Sequence, residues 1–151
     1  MANECPPFGV YNFKNVALTI DSALAVGFAE GDDVIMISPV KQIGTAVVGA
    51  DGASIVSISA SQAATMTLKF LANSPMNAYL RNKVARMRAG GVTNIEMNVG
   101  FVDMGLRQAG GCTQAVITKE PDIGRGENAS EQEWEIFCPC WQPTAITVTA
   151  G

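Results

Sequence analysis

The chain contains no histidine among its 151 residues. That absence removes the side chain that most often serves as general base near neutral pH, activates serine or cysteine nucleophiles and ligates metals. Charge is scarce as well: 16% of residues are Asp, Glu, Lys or Arg, against about 25% in an average soluble domain. What charge there is sums to −4, with a pI near 4.7, so the basic footprint with which proteins hold DNA phosphates is missing. No apolar run approaches the ~20 residues of a membrane-crossing helix. The opening MANECPPFG lacks the basic start and apolar stretch of a signal peptide. The expectation is one soluble domain, 1–151, made in a cytoplasm, with no membrane partner.

Cofactor motifs are wanting too. Asp32, Asp33 and Asp51 sit beside glycines in turns, where aspartate serves the backbone, and no acidic group has the spacing of a calcium loop. The G-x-x-G matches lack a phosphate-binding lysine and a βαβ setting. Four cysteines are present, Cys5, Cys112, Cys138 and Cys140, but they do not make the two short pairs of a four-thiolate zinc site. Cys138-Pro139-Cys140 is not a C-x-x-C opening a helix. The expectation is no catalytic residue, no metal and no cofactor.

What the chain does have is hydrophobicity, 48% of residues, and alternation. Val16, Leu18 and Ile20 share one strand face. Residues 34–38 read as a strand apolar on both faces, with Val34 and Met36 against Ile35 and Ile37, hence central in a sheet or covered by a neighbour. Val56, Ile58 and Ala60 alternate with Ser57 and Ser59, and Ala64, Met66, Leu68 and Phe70 with Thr65, Thr67 and Lys69. This pattern predicts a half-buried hairpin closed by Ser61-Gln62-Ala63. Ile95, Met97, Val99 and Phe101 alternate with Asn94, Glu96 and Asn98. Ala115 and Ile117, Trp134 and Ile136, and Ile146 and Val148 repeat the pattern, about eight strands in all. Ser74 is placed to cap a helix and Pro75 to begin it, and the pattern runs to Arg88 before Gly90-Gly91. Met76, Leu80, Val84 and Met87 fall on one stripe, with Arg81, Arg86 and Arg88 off it; basic residues there also suit the negative end of the helix dipole. Residues 1–9 read as an arm, residues 39–54 as a long inter-strand loop or a projecting hairpin, and 120–132 as an exposed loop.

The YNFKNVALTID opening at Tyr11–Asp21, the GADG turn, the Ser/Thr-rich alternating strands and the SPxN helix start, taken in that order through Leu80, resemble the tail tube proteins of contractile-tailed bacteriophages. The resemblance implies a mainly β fold, a β-sandwich or partly closed β-barrel with one flanking helix and an extended loop and arm for subunit contacts. It implies hexameric rings stacked into a hollow tube, a surrounding contractile sheath, and a tape-measure protein and passing DNA in the lumen. It places the chain in the virion tail after assembly in the host cytoplasm.

On that reading the polar residues Asn94, Glu96, Asn98, Ser57, Ser59, Thr65 and Thr67 are candidates for the lumen, and Arg81, Arg86 and Arg88 for the sheath side. Burial as small hydrophobes suits Cys112 and Cys138. Cys5, on a proline-anchored arm, suggests instead intersubunit disulfides with Cys112, Cys138 or Cys140, which persist in an oxidising medium. The alternatives are the tube of a tailocin or secretion machine, or a histidine-free thiol redox protein using C-P-C.

Overall fold

The structure, a computed structural model, describes residues 5, 6, 8–90 and 96–145. Asn94, Ile95 and the strand expected around Ile146 and Val148 lie outside the described residues. A 3-10 turn at Phe13–Asn15, capped by the Asn12 side chain, leads into β1 (Val16–Ile20) and β2 (Ala23–Leu24). The order continues β3 (Ile35–Pro39), β4 (Gly44–Val48), β5 (Ser54–Ile58), β6 (Ala64–Phe70), α1 (Pro75–Arg88), β7 (Met97–Asp103), β8 (Gln108–Lys119), β9 (Gln132–Cys138) and β10 (Gln142–Ala145). The turn between β1 and β2 uses Asp21 and Ser22 at φ 50° and 70°. This left-handed pair twists with the flanking strands, and a short polar side chain such as aspartate tolerates it.

Eight strands form one sheet in the order β2-β1-β7-β8-β9-β6-β3, with β10 also paired to β8. The long β8 joins its halves: Gln108–Cys112 pairs with β7 and Val116–Lys119 with β9, while β10 takes the other edge of Gln108–Gly111. Register shifts opposite Met97/Val99 and at Ile117/Lys119 mark the bulges that let a sheet bend. Just past β2 the chain returns to β6, where Leu71 N–H donates to Gly27 O at 2.8 Å and Ala29 N–H to Lys69 O at 3.0 Å. The sheet thus wraps the core without a closed ladder. Leu18 and Ile20, Met66, Leu68 and Phe70, and Trp134 and Ile136 all face inward, because period-two alternation puts every second side chain on one face.

The helix is pinned at its first turn. Ser74 Oγ accepts from Met76 N–H and donates to Val26 O at 2.5 Å. That contact needs Gly27, since a Cβ there would lie 2.8 Å from Ser74 Cβ. Asn77 is buried; its amide donates to Leu71 O at 2.8 Å and its carbonyl accepts the Trp134 indole N–H at 3.0 Å. Met76, Leu80 and Val84 complete the buried stripe and Met87 is half-buried. The SPxN start is therefore a docking device as well as a cap.

The structure corrects the expected hairpin. β5 pairs with β4, and β6 with β3 and β9. Residues 35–70 form one long ribbon whose proximal half, β3–β6, belongs to the sheet and whose distal half, β4–β5, projects as its own two-stranded sheet. Val40 N–H to Ala63 O and Ser59 N–H to Ile43 O carry the ladder across the junction, where a one-residue slip in register separates the halves. The turn lies at the GADG stretch instead of Ser61-Gln62-Ala63: Gly52 supplies φ 90°, and Asp51 Oδ1 accepts Ala53 N–H at 3.0 Å. The all-apolar strand is not central either, because among the described residues β3 is an edge strand that pairs only with β6.

Replacing Asn77 by Ala leaves the buried Trp134 indole N–H unpaired and takes from the Leu71 carbonyl one of its two donors, the Ser74 N–H remaining, which should cost about 1–3 kcal/mol. The expected reading is a lower denaturant midpoint at unchanged slope; an unchanged midpoint would contradict the pinning.

Candidate functional site

The projecting ribbon is the least self-sufficient part of the chain. All five residues of β5 are exposed, with Ile58 at 72% and Val48 of β4 at 70%. One face carries Gly44, Ala46, Val48, Ser54, Val56 and Ile58; the other carries Thr45 and Ser57 near the root and Val47 and Ile55 near the tip. From Gln42 to Ala60 the one charged residue is Asp51, which is occupied by the turn. Exposed strand edges are ordinarily protected by charge, proline or cover, and isolated two-stranded hairpins are marginal in water. Sequence reading left residues 39–54 open between a loop and a projecting hairpin and assigned no strand there, because Val47 and Val48 lie in a run too short and too glycine-flanked to show alternation.

The polar residues proposed from sequence lie in three places of the fold. Ser57 is on the ribbon and Ser59 at its root. Thr65 and Thr67 are half-buried on the outward face of β6, opposite Ser38 and Met36 of β3 and Phe137 and Glu135 of β9. Glu96 and Asn98 are exposed at the start of β7.

The basic set divides similarly. Arg81 is held within the fold: it donates to Gln132 Oε1 at 2.9 Å, lies 5.5 Å over the Trp134 ring and reaches Glu120 at 3.8 Å. It is therefore not a free docking charge, because indole, amide and carboxylate already engage its guanidinium. Arg88 pairs with Glu120 at 3.1 Å. Arg86 is exposed, with no ion pair among the described residues.

Asp21 links three elements that sequence reading left unconnected. Its carboxylate accepts Tyr79 O–H at 2.5 Å and Lys83 Nζ at 3.4 Å from α1, and Asn98 N–H at 2.9 Å from β7. Burial pushes the Asp21 carboxyl up, but the Tyr79 and Asn98 hydrogen bonds and the Lys83 charge together leave it lowered. The same hydrogen bond raises the Tyr79 phenol, helped by burial.

Cys112 and Cys138 are buried in the core. Burial first, then Cys112, pushes the Cys138 thiol up to about 12, so it stays protonated and inert, as a buried hydrophobe should. This removes both from contact with a neighbouring subunit in the folded chain. Cys5 and Cys140 are exposed. The open hollow beside Asp32, Asp33 and Asp103 brings no chemistry, since Asp103 Oδ1 already accepts the Gly105 and Leu106 amides. Among the described residues no three His, Cys, Asp or Glu converge as metal ligands.

A wrapped sheet, one docked helix and a projecting, nearly chargeless ribbon make up the described fold, and solved components of contractile injection systems share it. A sheath/tube terminator of an extracellular contractile injection system, PVC, in its extended state aligns with TM-score 0.62 at 11% identity, covering 93% of this chain and 98% of that one. The tube-terminating cap of the anti-feeding prophage aligns with TM-score 0.61 at 11% identity over 96% and 97%. The PVC sheath-tube complex gives 0.60 at 12% identity over 93% of each chain. No curated protein matches the sequence significantly. The family model of the bacteriophage PhiTE tail tube protein matches residues 8–143; the chain belongs to that tail tube family and is a structural protein, not an enzyme.

Because the folded Asp21 pKa lies below its unfolded value of about 3.9, its contribution is complete above that value and is lost as pH falls through the folded pKa. Asp21→Asn should unfold at lower temperature than the wild type at pH 7, with the gap closing on acidification. A pH-independent gap would contradict the network.

Proposed function

We propose that copies of this chain form hexameric rings that stack into the hollow tube of a phage tail, inside a contractile sheath, and that DNA passes through the lumen during ejection. The single observation that carries the self-assembly is the ribbon: an apolar, nearly chargeless two-stranded projection that a solvated monomer leaves uncovered and a second copy covers. Six copies at −4 each would carry −24; a wall of that sign repels phosphates, so DNA slides and is not held. Asn94, Glu96, Asn98, Ser57, Ser59, Thr65 and Thr67 remain the residues proposed for the lumen. On the sheath side the proposal narrows to Arg86, with Arg88 sharing its charge with Glu120. Assembly takes place in the host cytoplasm around a tape-measure protein.

The neighbours from injection systems, two of them terminators of the tube, favour a second reading in which the chain caps or builds the tube of a non-infectious machine. Gene neighbourhood separates the two, since a phage locus carries capsid and packaging genes.

The double variant Val56→Glu, Ile58→Glu places two carboxylates on the apolar ribbon face outside the core. It should remain folded by circular dichroism and sediment as a monomer where the wild type sediments as large particles. Particles of unchanged size would remove the ribbon from the assembly. For the thiols, the exposed pair Cys5 and Cys140 is proposed to bridge subunits in oxidised particles. Non-reducing electrophoresis should then show ladders that collapse in Cys140→Ser, and monomer bands without reductant would refute the bridge.

A further inference from the structure

Resting on the self-assembly reading, we infer that the open groove along the free edge of β3 receives the Phe8–Tyr11 segment of a second copy as an added strand, with Phe8 as its anchor. Two hollows of about 720 and 740 Å³ lie along β3 and share Phe101 as a common wall. The first runs beside Val34 and Ile35, the second beside Ile37 and Pro39, ending at Trp141. The Trp141 indole lies over Gly110, where any Cβ would collide with the ring, so an aromatic surface is held open at that end.

Each side of the proposed contact lacks what the other supplies. Among the described residues β3 has a ladder partner on one edge only, and apart from Ser38 its side chains are apolar, an edge of the kind that sheets otherwise protect. Residues 8–11 belong to no helix or strand and make no backbone hydrogen bond to the described body, and they expose Phe8 at 91% and Val10 at 71%. Phe8 and Val10, two apart, fall on one side of an added strand.

The occupant is a second copy because the chain's own Phe8, tethered through Tyr11, cannot reach the far end of the groove. Tyr11 lines the Val34–Ile35 end of the groove, and the three residues back to Phe8 span at most about 10 Å. β3 alone runs about 13 Å from Ile35 to Pro39, with the Trp141 end beyond it. Apart from Tyr11, which lines the near end of the groove, the donated arm and the receiving groove are different surfaces of one chain. The contact is therefore head-to-tail and must close into a ring or continue as a filament.

The test places a photo-crosslinking benzoylphenylalanine at position 8 in the full chain and mixes isotopically heavy and light copies. Cross-links between heavy and light chains to residues 37–43, 101 or 141–143 are expected. Cross-links within one chain, to the projecting strands β4 and β5, or to none of these sites in particles that still form would overturn the seat. Absent particles in wild-type protein would instead overturn the assembly reading beneath it. As a second measurement, the arm should resist protease in wild-type particles and become severalfold more susceptible in Ile37→Glu. Equal cleavage in the two would also overturn the proposal.

Discussion

The structure depends on one antiparallel ribbon that is half inside the protein and half outside it. From Ile35 to Phe70 the chain runs out and back; in the inner half β6 packs beside β9 with every second residue buried, and the outer half has water on both faces. The same Val and Ile content that makes β5 a good strand makes it a poor surface. A sheet edge without charge costs a monomer solubility and gives an assembly its contact. The near absence of charge from Gln42 to Ala60 is thus the local form of the low charge seen over the whole chain.

For a projection to transmit position between subunits, its root must be rigid, and the remaining architecture supplies that. β6 sits between β3 and β9 with every second residue buried. Across the junction, Gln62 accepts from both Trp141 N–H and the Cys140 thiol. Behind the sheet, α1 is fixed to β9 by the Asn77–Trp134 hydrogen bond and to the β1–β2 turn and β7 through Asp21. These contacts explain why a helix so short of apolar area keeps one orientation: buried polar bonds fix direction where area alone would not.

Much of this was legible in the sequence, for identifiable reasons. Alternation at Ala64–Phe70 and Gln132–Cys138, and the Ser74-Pro75 cap, are local properties and locate their elements closely. Pairing is not local. Val56–Ala60 and Ala64–Phe70 are adjacent, alternating and separated by a short loop, so they read as partners; the GADG turn instead pairs β5 with a strand too brief to be visible. Arg81 read as surface charge because helical position shows neither the Trp134 ring nor the Gln132 amide across from it. The two residues of β2 and the tie of Asp21 to Tyr79 depend on tertiary contacts with no sequence period. The mainly β class and the family resemblance survived these errors because they rest on the order of elements along the chain.

The central claim is that the chain is an assembly part, complete only among copies of itself. Negative-stain electron microscopy of the purified wild-type chain tests it most directly. Rings with an open centre, alone or stacked into hollow tubes, are the predicted result; a dispersed field of monomers at all concentrations, with the protein folded, would contradict it.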